Sequence, residues 1–171
     1  TNDISAAGTT TTTPSGWSVV GTAGNSGNQV RATVYAKVAA GTEDGTTVDF
    51  ATSVAEEAAS QVYRIPSGEW SGTLAGVEAS TASVASTNAP NPASLDPGAW
   101  GAENTLWIAY AGSSSHTSVT TYPTNFNGGV HNISNTGTGG ASTSSAWLES
   151  ATTSVDPGAF AMGNTTDSVA F

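Results

Sequence analysis

Apolar and polar residues alternate with a period of two over much of the chain. Across residues 29–38, Val30, Ala32, Val34, Ala36 and Val38 fall on one face, and Arg31, Thr33, Tyr35 and Lys37 on the other. That is the pattern of a half-buried strand. Segments 46–50 and 60–65, each bounded by Gly, Pro or Ser, predict two more strands. Residues 105–111 form the most apolar run and are apolar on both faces, which predicts a central strand. Weaker signals predict strands at 17–22, 74–85, 117–121, 142–149 and 167–171. Helical spacing is confined to 54–59, a stretch that is short and runs straight into β-prone residues.

Turn residues separate these runs at roughly ten-residue intervals. The segments 24–28 and 41–45 carry glycines that adopt positive φ cheaply. Many short strands with such spacing, and no helices between them, predict an all-β fold, an antiparallel β-sandwich of jelly-roll or immunoglobulin-like type with few or no helices. The expected organisation is an N-terminal arm or incomplete first strand over 1–13, followed by a single sandwich domain over 14–171.

One phrase occurs twice. Ser94-Leu95-Asp96-Pro97-Gly98-Ala99-Trp100 returns sixty residues later as Ser154-Val155-Asp156-Pro157-Gly158-Ala159-Phe160. Proline presets φ at the first central position of a turn and glycine takes positive φ at the second, so both copies predict a type II turn. The aromatic residue two positions beyond each glycine, Trp100 or Phe160, is then a turn anchor against the core. The spacing is too long for a solenoid repeat, and two equivalent corners of a sandwich account for it.

Charge changes the picture more than length does. Thirteen acids stand against three bases, Arg31, Lys37 and Arg64, a formal charge of −10 with only 9% of residues charged. An ordinary soluble domain has about 25%. The surface is therefore expected to be built from uncharged Thr, Ser, Asn, Gly and Ala. Three scattered cations do not make the basic footprint that nucleic acid requires, and an anionic membrane is disfavoured for the same reason. No apolar stretch approaches the roughly 20 residues that span a bilayer as a helix. With no cysteine, thiol catalysis, thiolate zinc and iron–sulfur clusters are excluded.

Candidate chemistry is sparse. His116, beside Ser115, lacks the strained serine elbow of a nucleophilic triad, and both His116 and His131 are expected as polar surface residues. Adjacent Glu56 and Glu57 would point to opposite faces of an extended segment, and Asp96, Glu103, Glu149 and Asp156 decide little, because nearly any β-sandwich supplies two carboxyls that could face across a cleft as glycoside hydrolysis requires. The chain is read as a non-enzyme without a cofactor. Glu43 and Asp44, before Gly45, are weak candidates for a calcium site, set against the plainer reading of solvated turn acids. Five tryptophans raise a sugar-stacking reading. Trp107 sits in the apolar strand and is expected in the core, while Trp70, Trp17 and Trp147 are the candidates for a subunit interface or a ligand platform. Asn132-Ile133-Ser134 and Asn164-Thr165-Thr166 match the glycosylation acceptor pattern.

Several phrases together resemble a known family. Pro14-Ser15-Gly16-Trp17, Val34-Tyr35-Ala36-Lys37-Val38-Ala39, Gln61-Val62-Tyr63-Arg64-Ile65 and Tyr122-Pro123-Thr124-Asn125-Phe126 occur in order. With Asp156-Pro157-Gly158-Ala159-Phe160, they look like a β-sandwich domain of the virion and tail proteins of tailed phages, the marine type in particular. The resemblance runs from about residue 14 to the end, and its motifs are packing and turn motifs. It implies a virion structural protein, a capsid decoration or head-fibre protein, or a tail-associated one, at the virion surface outside the cell. The implied partners are the major capsid protein or another virion protein, together with copies of the chain itself, as a homo-oligomer such as a trimer. The alternative is a glycan-binding adhesin or tail-fibre receptor-binding module with a host glycan as ligand. Where such domains open on a strongly apolar strand, this chain has only Ile4 and a threonine run. An unfilled first strand leaves a sheet edge open to a neighbouring subunit, or marks a chain incomplete at its ends.

Overall fold

A computed structural model describes residues 2–3, 10–25, 27, 29–80, 83–98, 100–135 and 139–171. The described residues form ten strands: β1 (Asn2–Asp3), β2 (Ser18–Asn25), β3 (Val30–Ala36), β4 (Ser83–Thr87), β5 (Thr105–Ser113), β6 (Val119–Thr121), β7 (Asn127–Ile133), β8 (Ser142–Ser150), β9 (Ala161–Met162) and β10 (Thr166–Ala170). The helical content among the described residues is one 3-10 turn, Leu74–Gly76. The fold is all-β and every ladder is antiparallel.

The strands form a five-stranded sheet in the order β4-β10-β5-β8-β7, a three-stranded sheet β1-β3-β2, and the small pair β6-β9. β5 is central, as its two-sided apolar pattern predicts. Its two faces are covered differently. On the front face, Tyr110 of β5 and Val169 of β10 pack with Phe171 against Val30, Ala32 and Val34 of the three-stranded sheet. On the back face, Ala109 and Ala111 pack against Phe160 and Met162, flanked by Val119, Tyr122 and Phe126. Pattern dictates this division, because Ala109 and Tyr110 are neighbours in sequence and point to opposite faces. The polar face of β3 is also used: Tyr35 packs on Phe50 at 5.0 Å, and Trp17 meets Phe50 edge-on at 5.4 Å.

Small residues fill much of the interior. Seven of the thirteen buried hydrophobics among the described residues are alanine, and Ser113, Thr117, Ser142, Thr143, Ser144, Ser145 and Ser168 are buried beside them. Buried hydroxyls require partners, and several have them. Ser168 Oγ donates to the carbonyls of Ala85 and Thr87 at 3.2 Å, and Thr117 Oγ1 accepts from the Asn164 amide at 3.1 Å.

Segments 46–50 and 60–65 are not strands. The first contributes Phe50 to the Trp17–Tyr35 cluster. The second crosses the sheet and is held through its side chains rather than by a ladder. Of 74–85, the first part is the 3-10 turn and only Ser83–Thr87 is strand. β7, rich in glycine, carried no strand signal of its own. Within the N-terminal arm, Asn2 and Asp3 pair with Arg31 and Val30, extending the chain's own sheet, and Thr11 bridges Thr52. Thr1 and residues 4–9, Ile4 included, lie outside the described residues.

Candidate functional site

The front face of the five-stranded sheet is only partly covered by the three-stranded sheet. Over β8 and β7 the cover is the irregular segment 59–63. The Gln61 amide donates to the carbonyls of Val130, at 3.0 Å, and Thr143, at 3.2 Å, while its oxygen accepts from Ser145 Oγ. The hydroxyls of Tyr63 and Ser145 share a 2.6 Å hydrogen bond, and Asn132 Nδ2 donates to the Ser60 carbonyl at 2.9 Å. This anchoring leaves the intervening side chain turned outward, and Val62 is 80% exposed. Gln61, Val62, Tyr63, Val130 and Asn132 line a shallow groove of about 160 Å³. The groove's two amides are both engaged in holding the segment down.

Below this crossing the front face is open. Leu106 and Ile108 share the face of Tyr110 and are exposed; Ile108 stands directly across from Trp147, and Val130 across from Ser145. With Val62 and Tyr63, these side chains make an apolar surface bordered by one carboxylate, the exposed Glu149 directly across from Leu106. Trp147 is half-buried here, its indole lying over Gly128 so closely that an added Cβ would stand 2.2 Å from Nε1. Trp147 therefore borders the open face. Trp17 lies away from it, packed on Phe50. Trp70 is half-buried beyond segment 60–65, and Trp107 is buried in the core, its Nε1–H reaching the Ser150 carbonyl at 3.4 Å. Of the platform candidates, Trp147 stands beside the open face and Trp17 is packed in the Phe50 cluster.

The two repeated phrases come together. Leu95 and Val155 form an antiparallel bridge, each N–H donating to the other's carbonyl at 3.0 Å. Their turns differ. Gly158 has φ of 75°, as a type II turn demands, whereas Gly98 has no positive φ, and the Trp100 amide closes its turn one residue later, on the Pro97 carbonyl at 3.0 Å. Phe160 is an anchor, fully buried, with its amide on the Pro90 carbonyl; Trp100 is half-buried. Asp96 and Asp156 are exposed beside the bridge.

His116 is an exposed loop residue. His131 is not the surface residue its sequence suggested: it stands half-buried on β7, Nδ1 2.9 Å from Ser144 Oγ, and burial holds its imidazole below the usual range. Its ring nitrogen shares a hydrogen bond with a serine that is itself buried within the sheet. Burial also raises the Tyr122 phenol.

The carboxylate of Glu43 is committed within its own turn. It accepts from the Ala40 amide at 2.9 Å and the Thr42 amide at 3.0 Å, and pairs with Lys37 at 2.9 Å. The Ala40 N–H first, and the Lys37 ammonium second, lower its pKa from 4.5 to about 2. Asp44 is exposed, and among the described residues no group of three or more His, Asp or Glu side chains gathers to hold a metal. A depressed carboxyl pKa means that the turn's added stability is full above pH 4.5 and lost as pH falls from 4.5 through 2. In an acid titration followed by NMR, the Ala40 and Thr42 amide resonances should move together with a midpoint near 2. A midpoint near 4.5 would show that these bonds do not persist in solution.

Comparison with protein-family models, with curated proteins and with solved structures finds no match.

Proposed function

We propose that the chain is a structural protein of a phage particle, a capsid decoration or head-fibre protein that works by contact. The observation that carries this reading is an inverted use of apolar residues. Alanine and serine fill much of the interior, while Leu106, Ile108 and Val130 are exposed on one sheet face and Val62 and Tyr63 are exposed on the segment that crosses it. Contiguous exposed apolar surface of this kind marks an interaction site. An apolar centre with Glu149 at its border, within an acidic, hydroxyl-rich surface, has the composition of an interface core with a polar rim.

Shape and surface would do the work. The domain seats its front face on a neighbouring virion protein and turns neutral hydroxyl and amide groups to the medium. The family resemblance in the sequence points the same way.

The test is mass spectrometry of purified particles from the source that carries this sequence, followed by imaging of those particles. The expected result is the chain at a copy number commensurate with the capsid lattice, with Leu106, Ile108 and Val62 buried against a neighbour. Absence from particles, or a position on a tail tip with that face outward, would overturn it. The second position would favour the receptor- or glycan-binding alternative.

A further inference from the structure

β7 is the last strand of the five-stranded sheet, and among the described residues its ladder partner is β8 on one side only. Six of its seven residues are exposed, His131 being half-buried. Natural edge strands are normally protected by charge, proline, a bulge, or a covering loop. β7 carries no charged residue and no proline, and segment 59–63 lies on its front face, through Val130 and Asn132, rather than along the outer edge where the His131 and Ile133 amides point. Its bulge lies at one end, between Asn127 and Val130, which leaves Val130–Ile133 in regular register with Ser145–Ser142. Within that stretch Val130 is 43% and Ile133 42% exposed. The opposite edge is guarded: the loop 88–93, with Pro90 and Pro92 buried, is fastened to β4 by Ser83 Oγ donating to the Asn91 carbonyl at 2.7 Å. On β2, a bulge between Val19 and Gly21 interrupts the edge.

We infer that β7 pairs antiparallel with β7 of a second copy, continuing the five-stranded sheet across a twofold axis at His131. That register sets Val130 across from Asn132 of the second copy, within the regular stretch of each strand. Every side chain brought together is uncharged. This matters because the whole chain carries −10: a contact between copies is favoured where neither brings an acid to it, and β7 is an extended segment that meets this condition. A partner recognised by charge would find nothing on β7 to attract it. The contact is isologous and closes as a dimer, not as the trimer that the sequence resemblance allows. It extends the contact-based role proposed above, but its test needs no particle, so the two readings fail separately.

Sedimentation equilibrium of the purified chain over a concentration series is expected to show the mass rising from 16.9 kDa to twice that value. Amide exchange at His131 and Ile133 should slow as the dimer fills. The double variant V130K/I133K should weaken dimerisation at least tenfold while its circular dichroism and melting temperature stay those of the parent. L106K/I108K, on the open front face, should leave the dimer intact. A chain that stays monomeric into the millimolar range overturns the inference, as does a trimer, or a dimer that survives V130K/I133K. Dimerisation of a chain absent from particles would leave β7 pairing standing and remove the virion reading; a monomer on particles would do the reverse.

Discussion

Phe160→Ala is expected to lower the unfolding free energy by about 3–5 kcal/mol, a large part of the roughly 5–15 kcal/mol that holds a domain together. Phe160 is 1% exposed and fills the space between the back face of the central sheet and the β6-β9 pair. It meets Tyr122 edge-on at 5.9 Å, and its amide is fixed to the Pro90 carbonyl at 3.0 Å. The size of the expected loss follows from its neighbours. Ala109 and Ala111 are methyl groups on a paired strand and have nothing to swing into the vacated volume, so the cavity persists. Met162→Ala should cost less, because the methionine it removes is flexible and its surroundings adapt more easily. Urea unfolding of both variants checks the order. A Phe160→Ala loss below about 1 kcal/mol would mean that the back-face layer contributes little to stability.

The parts of the fold legible in the sequence are those where period-two alternation and burial coincide. β3 shows Val30, Ala32 and Val34 on its core face, and β5 shows its central position by being apolar on both sides. β7 was illegible because its defining residues, Gly128 and Gly129, read as a turn; only their contacts with Trp147 and Tyr122 explain them. Segment 60–65 erred in the other direction. Its β-prone residues suggest a ladder, yet Gln61 and Tyr63 bind by their side chains, and no local rule reports that. The repeated Asp-Pro-Gly phrase was visible, but its pairing through Leu95 and Val155 is a tertiary fact. Of the candidate site residues, Trp147 borders the open face. The more informative members, Val62, Ile108 and Val130, look like ordinary strand residues until their exposure is known.

Replacing the glycines of β7 tests the geometry on which both its stability and its pairing depend. Gly128→Ala is expected to cost roughly 3 kcal/mol and Gly129→Ala roughly 2 kcal/mol, by combined strain and overpacking. Gly128 has φ of 59°, a left-handed conformation that disfavours a side chain, and its added methyl would stand 2.2 Å from Trp147 Nε1. At Gly129 the methyl would lie 2.5 to 2.7 Å from three ring carbons of Tyr122. That ring is backed by Phe160 and cannot simply retreat. A double-mutant cycle separates steric from backbone causes. Tyr122→Ala, though destabilising by itself, removes the obstacle, so adding Gly129→Ala on that background should cost almost nothing further. The corresponding cycle of Gly128→Ala with Trp147→Ala should recover only part of the loss, because the left-handed backbone remains. If Gly129→Ala costs the same with and without Tyr122, the ring does not set this position. If both glycines tolerate alanine within about 0.5 kcal/mol, β7 is not held flush against β8, and its edge could not be presented as a regular strand for pairing.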